Sequence, residues 1–241
     1  MERSQLIQTV SLSFFRFNRR SAHLWAYWMM AAARRPLSRI PGLQFWKLCG
    51  SGTGEGFTPS FNSGVFAILC AWQDRTTAET RLRDDNLFFR YRQKSCEDWT
   101  IFLAPVSVRG AWSGQTPFVT HDGDLDGPLA ALTRATLRPR ILLGFWRRTP
   151  AISQVIGADR NVAFKIGIGE VPYLQQVTFS IWPDAESMAA FARMPGGPHA
   201  EAIRAVREEN WFREELYARF RILGDSGSWF GKSPLEKLEL Q

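Results

Sequence analysis

The sequence predicts an α+β fold of two tandem ferredoxin-like βαββαβ halves packed sheet to sheet, an α+β barrel within one chain. Three observations predict it. Short runs of β-branched and aromatic residues alternate with helical runs in the order β-α-β-β-α-β, which is the ferredoxin-like pattern. The same order recurs after a polar, turn-rich stretch at residues 113–127, the best linker candidate. Landmarks also recur in order. Phe45-Trp46-Lys47 with Gly54-Glu55 parallels Ala163-Phe164-Lys165 with Gly169-Glu170. Trp72-Gln73-Asp74 parallels Trp182-Pro183-Asp184, and Glu97-Asp98-Trp99 parallels Glu209-Asn210-Trp211. Each sheet carries helices on one face, so its other face needs a cover, which the second copy supplies. The expected division is a first half over 1–112, a linker over 113–127 and a second half over 128–241.

Residues 9–17 read as a strand with no breaker, and 21–35 as a helix ended by Arg35-Pro36. Strands follow at 43–50 and 65–72, joined by a Gly/Ser/Thr loop. Asp74 caps a helix over about 75–90, its side chain facing the free N–H groups of the first turn. A long strand over 98–112 kinks at Pro105. After the linker, 129–138 reads as a strand, 139–157 as a helix or helix pair broken near Pro150, and 161–169 and 176–182 as strands. Asp184 caps a helix over 185–193. A helix starting at Pro198 runs to about Asn210, and a last strand covers about 215–223.

Composition narrows the function classes. With 241 residues and 45% hydrophobic content the chain can bury a large core, and 10 Trp and 18 Phe suit a large apolar ligand or ordinary packing. The net charge of +7 favours an anionic partner, yet no basic tail or nucleic-acid module is visible, so a membrane surface ranks ahead of nucleic acid. Cys49, Cys70 and Cys96 are odd in number and unpaired in spacing, which argues against a disulfide framework. The N-terminus lacks the apolar core of a signal peptide. The longest apolar run, Leu24–Ala33, is about half the ~20 residues needed to span a bilayer. The expected location is cytoplasmic, with no transmembrane helix.

Three histidines offer imidazoles. His199 follows Pro195-Gly196-Gly197-Pro198 and sits in the first turn of a new helix. Imidazole is the commonest metal ligand, and a rigid entry fixes where it points. The hypothesis is that His199 holds a haem iron; a surface histidine beside a loop is the bland alternative. His23, in an apolar helix, reads as structural or surface, and His121, beside Asp122 and Asp124, as a solvated loop residue. The first half has no histidine in the corresponding region, near Asn86–Phe89, and one ligand-bearing copy is a reasonable way for a doubled fold to host one cofactor. No zinc, c-type haem, iron–sulfur or nucleophile-elbow motif occurs. The glycine-rich 50–56 loop lacks the end of a phosphate loop. Cys49 could serve as a thiolate iron ligand, against a buried inert thiol. The strands 176–182 and 215–223 each have an apolar and a more polar face. Lys165, Ser180 and Arg219 are the candidate pocket-lining residues, a cation stabilising a peroxide or a haem propionate; the alternative is a solvated or barrel-filling polar face.

QTVSLSFFRF, FWKLCGSGTGEGFTP, WTIFLAPVSVRGAW, PLAALTRAT, FKIGIGEVP, QVTFSIWPDA, GGPHAEAIRAVR and WFREELYARFRILGD resemble the spheroidene monooxygenase family of purple photosynthetic bacteria over about residues 8–235. The resemblance implies an enzyme of carotenoid biosynthesis. It would insert oxygen at C-2 of spheroidene-type acyclic carotenoids and give a 2-keto product through hydroxylation. It implies haem, dioxygen as co-substrate and an external electron donor, such as a ferredoxin. It also implies a membrane-dissolved substrate and a peripheral position on the intracytoplasmic photosynthetic membrane. Haem proteins with doubled ferredoxin-like halves are similar at the level of fold. The competing readings are a cofactor-free monooxygenase on the same barrel and a non-catalytic haem- or carotenoid-binding protein.

Overall fold

In the computed structural model, residues 7–53, 61–121, 123, 126–142, 162–193 and 211–238 are described. Eight strands form one closed barrel. They are β1 (Thr9–Arg16), β2 (Leu43–Gly52), β3 (Phe61–Trp72), β4 (Glu97–Gly110), β5 (Leu129–Leu137), β6 (Phe164–Gly169), β7 (Gln175–Trp182) and β8 (Phe212–Gly227). Their order around the barrel is β1-β3-β2-β6-β7-β5-β8-β4, every neighbouring pair antiparallel. Thus β4-β1-β3-β2 and β8-β5-β7-β6 share one order, and their inner faces meet in the barrel core. The sheets go further than facing one another. β4 hydrogen-bonds to β8 and β2 to β6, so four open edges become none. The kink expected at Pro105 is a register shift between Pro105 and Ser107 against β8, where proline has no N–H to donate.

Among the described residues five α-helices sit outside the barrel: α1 (Arg20–Ala32), α2 (Arg34–Leu37), α3 (Arg75–Asp84), α4 (Asn86–Lys94) and α5 (Ala185–Arg193). The helix expected over 75–90 is two. Asp74 starts α3 by accepting from Thr77 N at 2.7 Å, and Asp85 breaks the chain and starts α4 by accepting from Leu87 N at 2.8 Å. Asp184 caps α5 through Ser187 N at 2.6 Å. The helices expected over 139–157 and 198–210 lie outside the described residues, apart from a 3₁₀ turn at Pro139–Ile141.

Strand alternation sorts the apolar residues into separate cores. Inside the barrel pack Val10, Leu12, Phe14, Trp99, Ile101, Phe179, Ile181 and Phe220, with Phe118 of the 113–127 stretch joining them. Outside the β1–β4 sheet, Phe15, Phe66, Ile68, Trp72 and Leu48 pack under α1–α4 through Ala22, Ala26, Met29, Ala78 and Phe88. Outside the β5–β8 sheet a small cluster, Leu129, Trp182, Met188 and Phe191, lies under α5.

Two turns close the barrel ends, and they repeat a motif. Gly110-Ala111-Trp112-Ser113-Gly114-Gln115 and Gly227-Ser228-Trp229-Phe230-Gly231-Lys232 follow β4 and β8, each pinned by a backbone bridge, Trp112 to Gln115 and Trp229 to Lys232. Gly110 and Gly227 have φ of 94° and 85°, and a Cβ there would strike the carbonyl oxygen of Glu215 and of Asp98 respectively, so glycine is required twice for one reason. The matching makes Glu97-Asp98-Trp99 equivalent to Glu214-Glu215-Leu216, five residues beyond the Glu209-Asn210-Trp211 parallel. The Lys47–Lys165 parallel is one residue out. Through Cys70 and Ser180, which end their strands alike, the partner of Lys165 is Trp46, and Lys47 faces inward where Lys165 faces outward. A one-residue slip exchanges the faces of a strand.

Candidate functional site

The interior of the barrel is solid. Phe14 stacks on Trp99 at 5.4 Å between ring centres, and Phe164 meets both Trp99, at 4.8 Å, and Phe14, at 5.7 Å. Eight strands enclose a space narrow enough for side chains to fill, so the two outer faces are the next places to look for a large ligand.

Register compares those faces row by row. Thr9 pairs with Trp72 and Leu129 with Trp182, which fixes the alignment. The next row reads Trp46–Cys70–Ser11–Phe102 in the first sheet and Lys165–Ser180–Ala131–Arg219 in the second. The row after that reads Leu48–Ile68–Ser13–Thr100 against Gly167–Thr178–Thr133–Tyr217. Where the first sheet carries Trp46, Leu48, Ile68 and Phe102, the second carries two cations and small side chains. The three pocket candidates therefore share one cross-strand row, Lys165 and Arg219 being three strand spacings apart, about 14 Å. Ser180 is buried and its Oγ accepts from Trp182 Nε1 at 2.9 Å; Lys165 is half-buried and Arg219 exposed. α5 covers the Leu129–Trp182 end of this face with Met188 and Phe191, Phe191 lying 5.3 Å from Trp182. The side chains between the cations are small and uncharged.

His199 lies outside the described residues. His23 has a structural place: Nε2 is 2.8 Å from Phe17 O and Nδ1 is 3.2 Å from Ser63 Oγ, tying α1 to β1 and β3. His121 departs from the solvated-loop expectation. Its ring nitrogens are shielded from water, and its N–H donates to Pro105 O at 3.3 Å, because the 113–127 stretch packs on the barrel. Cys49 points into the barrel and is buried; burial first, then the Glu170 charge, push its thiol far above its ordinary range, as in a buried inert thiol. Among the described residues no group of three His, Cys, Asp or Glu is placed to hold a bare metal ion.

One cluster escaped the sequence reading. Lys47 Nζ pairs with Glu170 Oε2 at 2.9 Å and donates to Ser113 Oγ at 2.6 Å, while Trp112 Nε1 donates to Glu170 Oε1 at 2.6 Å. Arg134, buried inside the barrel, pairs with Glu214 at 2.9 Å, and its guanidinium lies 5.8 Å from the Trp112 ring centre. This joins the two sheets around one indole. The repeated G-x-W-x-G at 110–114 and 227–231 was the available signal.

The chain is 49% identical over 234 residues to the spheroidene monooxygenase of Rhodobacter capsulatus, covering 96% of this chain and 97% of that protein. It is 51% identical over 231 residues to that of Cereibacter sphaeroides, covering 95% and 71% respectively. The chain belongs to the spheroidene monooxygenase family. It is a monooxygenase, as the resemblance implied. A third member of the spheroidene monooxygenase family, from Rubrivivax gelatinosus, is 34% identical over 88% of this chain and 81% of its own length. No protein-family model matches the chain. Among solved structures, an aldoxime dehydratase aligns over 91% of this chain and 82% of its own, with a TM-score of 0.62 at 12% identity. A second, an aldoxime dehydratase in complex with butyraldoxime, aligns over 91% and 80% with a TM-score of 0.57 at 10% identity. At such identities the likeness concerns the fold alone.

Proposed function

We propose that the chain is a haem- and dioxygen-dependent carotenoid monooxygenase that acts at C-2 of a spheroidene-type acyclic carotenoid. Two hydroxylations at one carbon give a gem-diol, which loses water to leave the 2-ketone. Each hydroxylation consumes one dioxygen, two electrons and two protons and releases one water, so an external electron donor is required. The architecture of the proposal is two tandem ferredoxin-like halves, of which the second carries a row of small side chains between two cations on its outer face.

The observation that carries this reading is the row Lys165–Ser180–Ala131–Arg219 with its neighbour Gly167–Thr178–Thr133. The barrel interior is filled and the first outer face is packed under α1–α4. A floor of Gly, Ala, Ser and Thr admits a flat ring against the strands, and Lys165 and Arg219 suit the carboxylates of a porphyrin. The donor chemistry therefore fits haem, with His199 proposed as the iron ligand. When bound, haem would supply activation of dioxygen for C–H hydroxylation. The chain's own residues would pair with the ring's carboxylates through Lys165 and Arg219 and keep water from the reacting carbon.

The test is an absorption spectrum of haem-loaded protein, run alongside chromatography of spheroidene turned over under dioxygen and reductant. His199→Ala is expected to lose the Soret signature of ligated haem and the ketone product, while His23→Ala and His121→Ala keep both. A ligated Soret band in His199→Ala sinks the ligand assignment. Ketone formation by haem-free protein sinks the cofactor.

A further inference from the structure

We infer that α1 is a membrane-docking element that lies flat on an anionic lipid surface. This inference stands apart from the proposed chemistry and uses a different face of the molecule. α1 buries Ala22, Ala26 and Met29 against the outer face of the first sheet. Its opposite stripe puts Leu24, Tyr27 and Trp28 in the open, at 73%, 67% and 58% exposure. These positions, i, i+3 and i+4, form one contiguous patch. A globular helix whose outer face is its most aromatic one has the wrong polarity for water alone.

Charge says what covers it. The stripe continues to Arg20 at one end and to Arg34 and Arg35 at the other, all exposed, with Arg19 and Arg39 beside them. No Asp or Glu occurs anywhere from residue 3 to residue 54, although 23 are present in the chain. Arg90 of α4 adds a further cation over the Trp25 ring, 5.9 Å from its centre. The arrangement is an apolar centre with cations at both ends. A 13-residue helix is about 20 Å long, short of the ~30 Å hydrocarbon core, and no helix among the described residues is long and apolar enough to cross it. With cations at both ends, a flat orientation seats all of them at headgroup level while Leu24, Tyr27 and Trp28 enter the interface. An acidic protein is the weaker occupant. The centre of the patch is Leu24, Trp28 and Ala31, which offer no cation to pair with a carboxylate.

The test is sedimentation of the full chain with vesicles of phosphatidylcholine alone and of phosphatidylcholine with phosphatidylglycerol, at low and high salt. Wild type is expected to pellet with the mixed vesicles and to be released by salt. Arg34→Glu/Arg35→Glu should lose the preference for phosphatidylglycerol, each arginine contributing roughly fivefold in partition. Leu24→Ser/Trp28→Ser should lose at least about tenfold on both vesicle types, with circular dichroism unchanged, since neither side chain is in the core. Failure of wild type to pellet, or pelleting unchanged in both double variants, overturns the inference. Capture by an acidic redox protein without vesicle binding overturns it in favour of a protein partner. None of these outcomes bears on haem binding or ketone formation from detergent-dispersed substrate, which test the proposed function separately.

Discussion

Glu97 and Glu214 are counterparts, and each holds shut the turn that ends the other half. Glu214, from the start of β8, accepts from Ser113 N and Gly114 N at 2.9 Å each. Glu97, from the start of β4, accepts from Gly231 N at 2.7 Å and from Ser228 Oγ at 2.9 Å. Each is paired with an arginine of the strand beside it, Arg134 with Glu214 at 2.9 Å and Arg16 with Glu97 at 2.6 Å. Because the carboxylates are exchanged between halves, neither barrel end is complete without residues from both.

The interlock predicts acid sensitivity. Burial raises both carboxyl pKa values. Bonds from Gly231, Ser228 and Arg16 to Glu97, and from Gly114, Arg134 and Ser113 to Glu214, outweigh it and hold both below the usual carboxylate range. A lowered folded-state pKa contributes stability that is full above about pH 5 and lost as pH falls through the folded value. The thermal midpoint should therefore drop on acidification below about pH 5. Glu97→Gln/Glu214→Gln should start lower at neutral pH, by about 2 kcal/mol per charged hydrogen-bonding group, and show a flatter profile in the acid window. Parallel wild-type and variant curves below pH 5 would contradict the assignment.

Thiol reactivity should separate the three cysteines. Burial pushes the Cys49 and Cys70 thiols far up, whereas Cys96 is exposed at the start of β4. Native protein treated with iodoacetamide near pH 8 should gain one adduct, at Cys96, and three only after unfolding. Mass spectrometry reads this directly. Rapid native labelling at Cys49 would mean that the barrel end around Trp112 and Glu170 opens on that timescale.

How much of this was legible in the sequence depended on the range of the forces involved. Strand and cap signals are local, so β1, β7, Asp74 and Asp184 were readable, as was the shared polar face of Lys165, Ser180 and Arg219. The register that sets those three in one row comes from cross-strand pairing and has no local trace. The same limit explains the misaligned Lys47 and Trp211 parallels. Composition matches tolerate a slip of one or five residues; hydrogen-bond ladders do not. The cluster of Lys47, Glu170, Trp112, Arg134 and Glu214 joins four strands and a turn, and only the repeated G-x-W-x-G hinted at it. His121 read as solvated because a polar stretch looks like a free linker, although its Phe118 is buried in the barrel.

Enlarging the small side chains of that row and its neighbour should separate fold from function. Ala131→Phe or Thr178→Phe restores on the second sheet the bulk that Ile68 and Phe102 supply near the matching rows of the first. Both positions are half-buried on an outer face, so the barrel core is untouched and the thermal midpoint should move by a few degrees at most. Haem retention and ketone yield should fall at least tenfold. A variant that keeps full turnover with Phe at either position would show that the ligand lies elsewhere.

The cations at the ends of that row make a graded prediction. Arg219 is exposed, and an exposed ion pair contributes at most about 1 kcal/mol, so Arg219→Met should weaken haem binding by roughly threefold and only at low salt. Lys165 is half-buried, where solvent screens less, so Lys165→Met should cost more, about tenfold, with weaker salt dependence. Ser180→Ala should behave differently from both. It removes the acceptor of the Trp182 indole N–H, so it should lower stability by about 1–2 kcal/mol and leave the salt dependence of haem binding intact. Titration of haem into the three variants at two ionic strengths distinguishes these cases. Equal losses in Arg219→Met and Ser180→Ala, both insensitive to salt, would mean that the row supports the fold and does not grip an anionic edge.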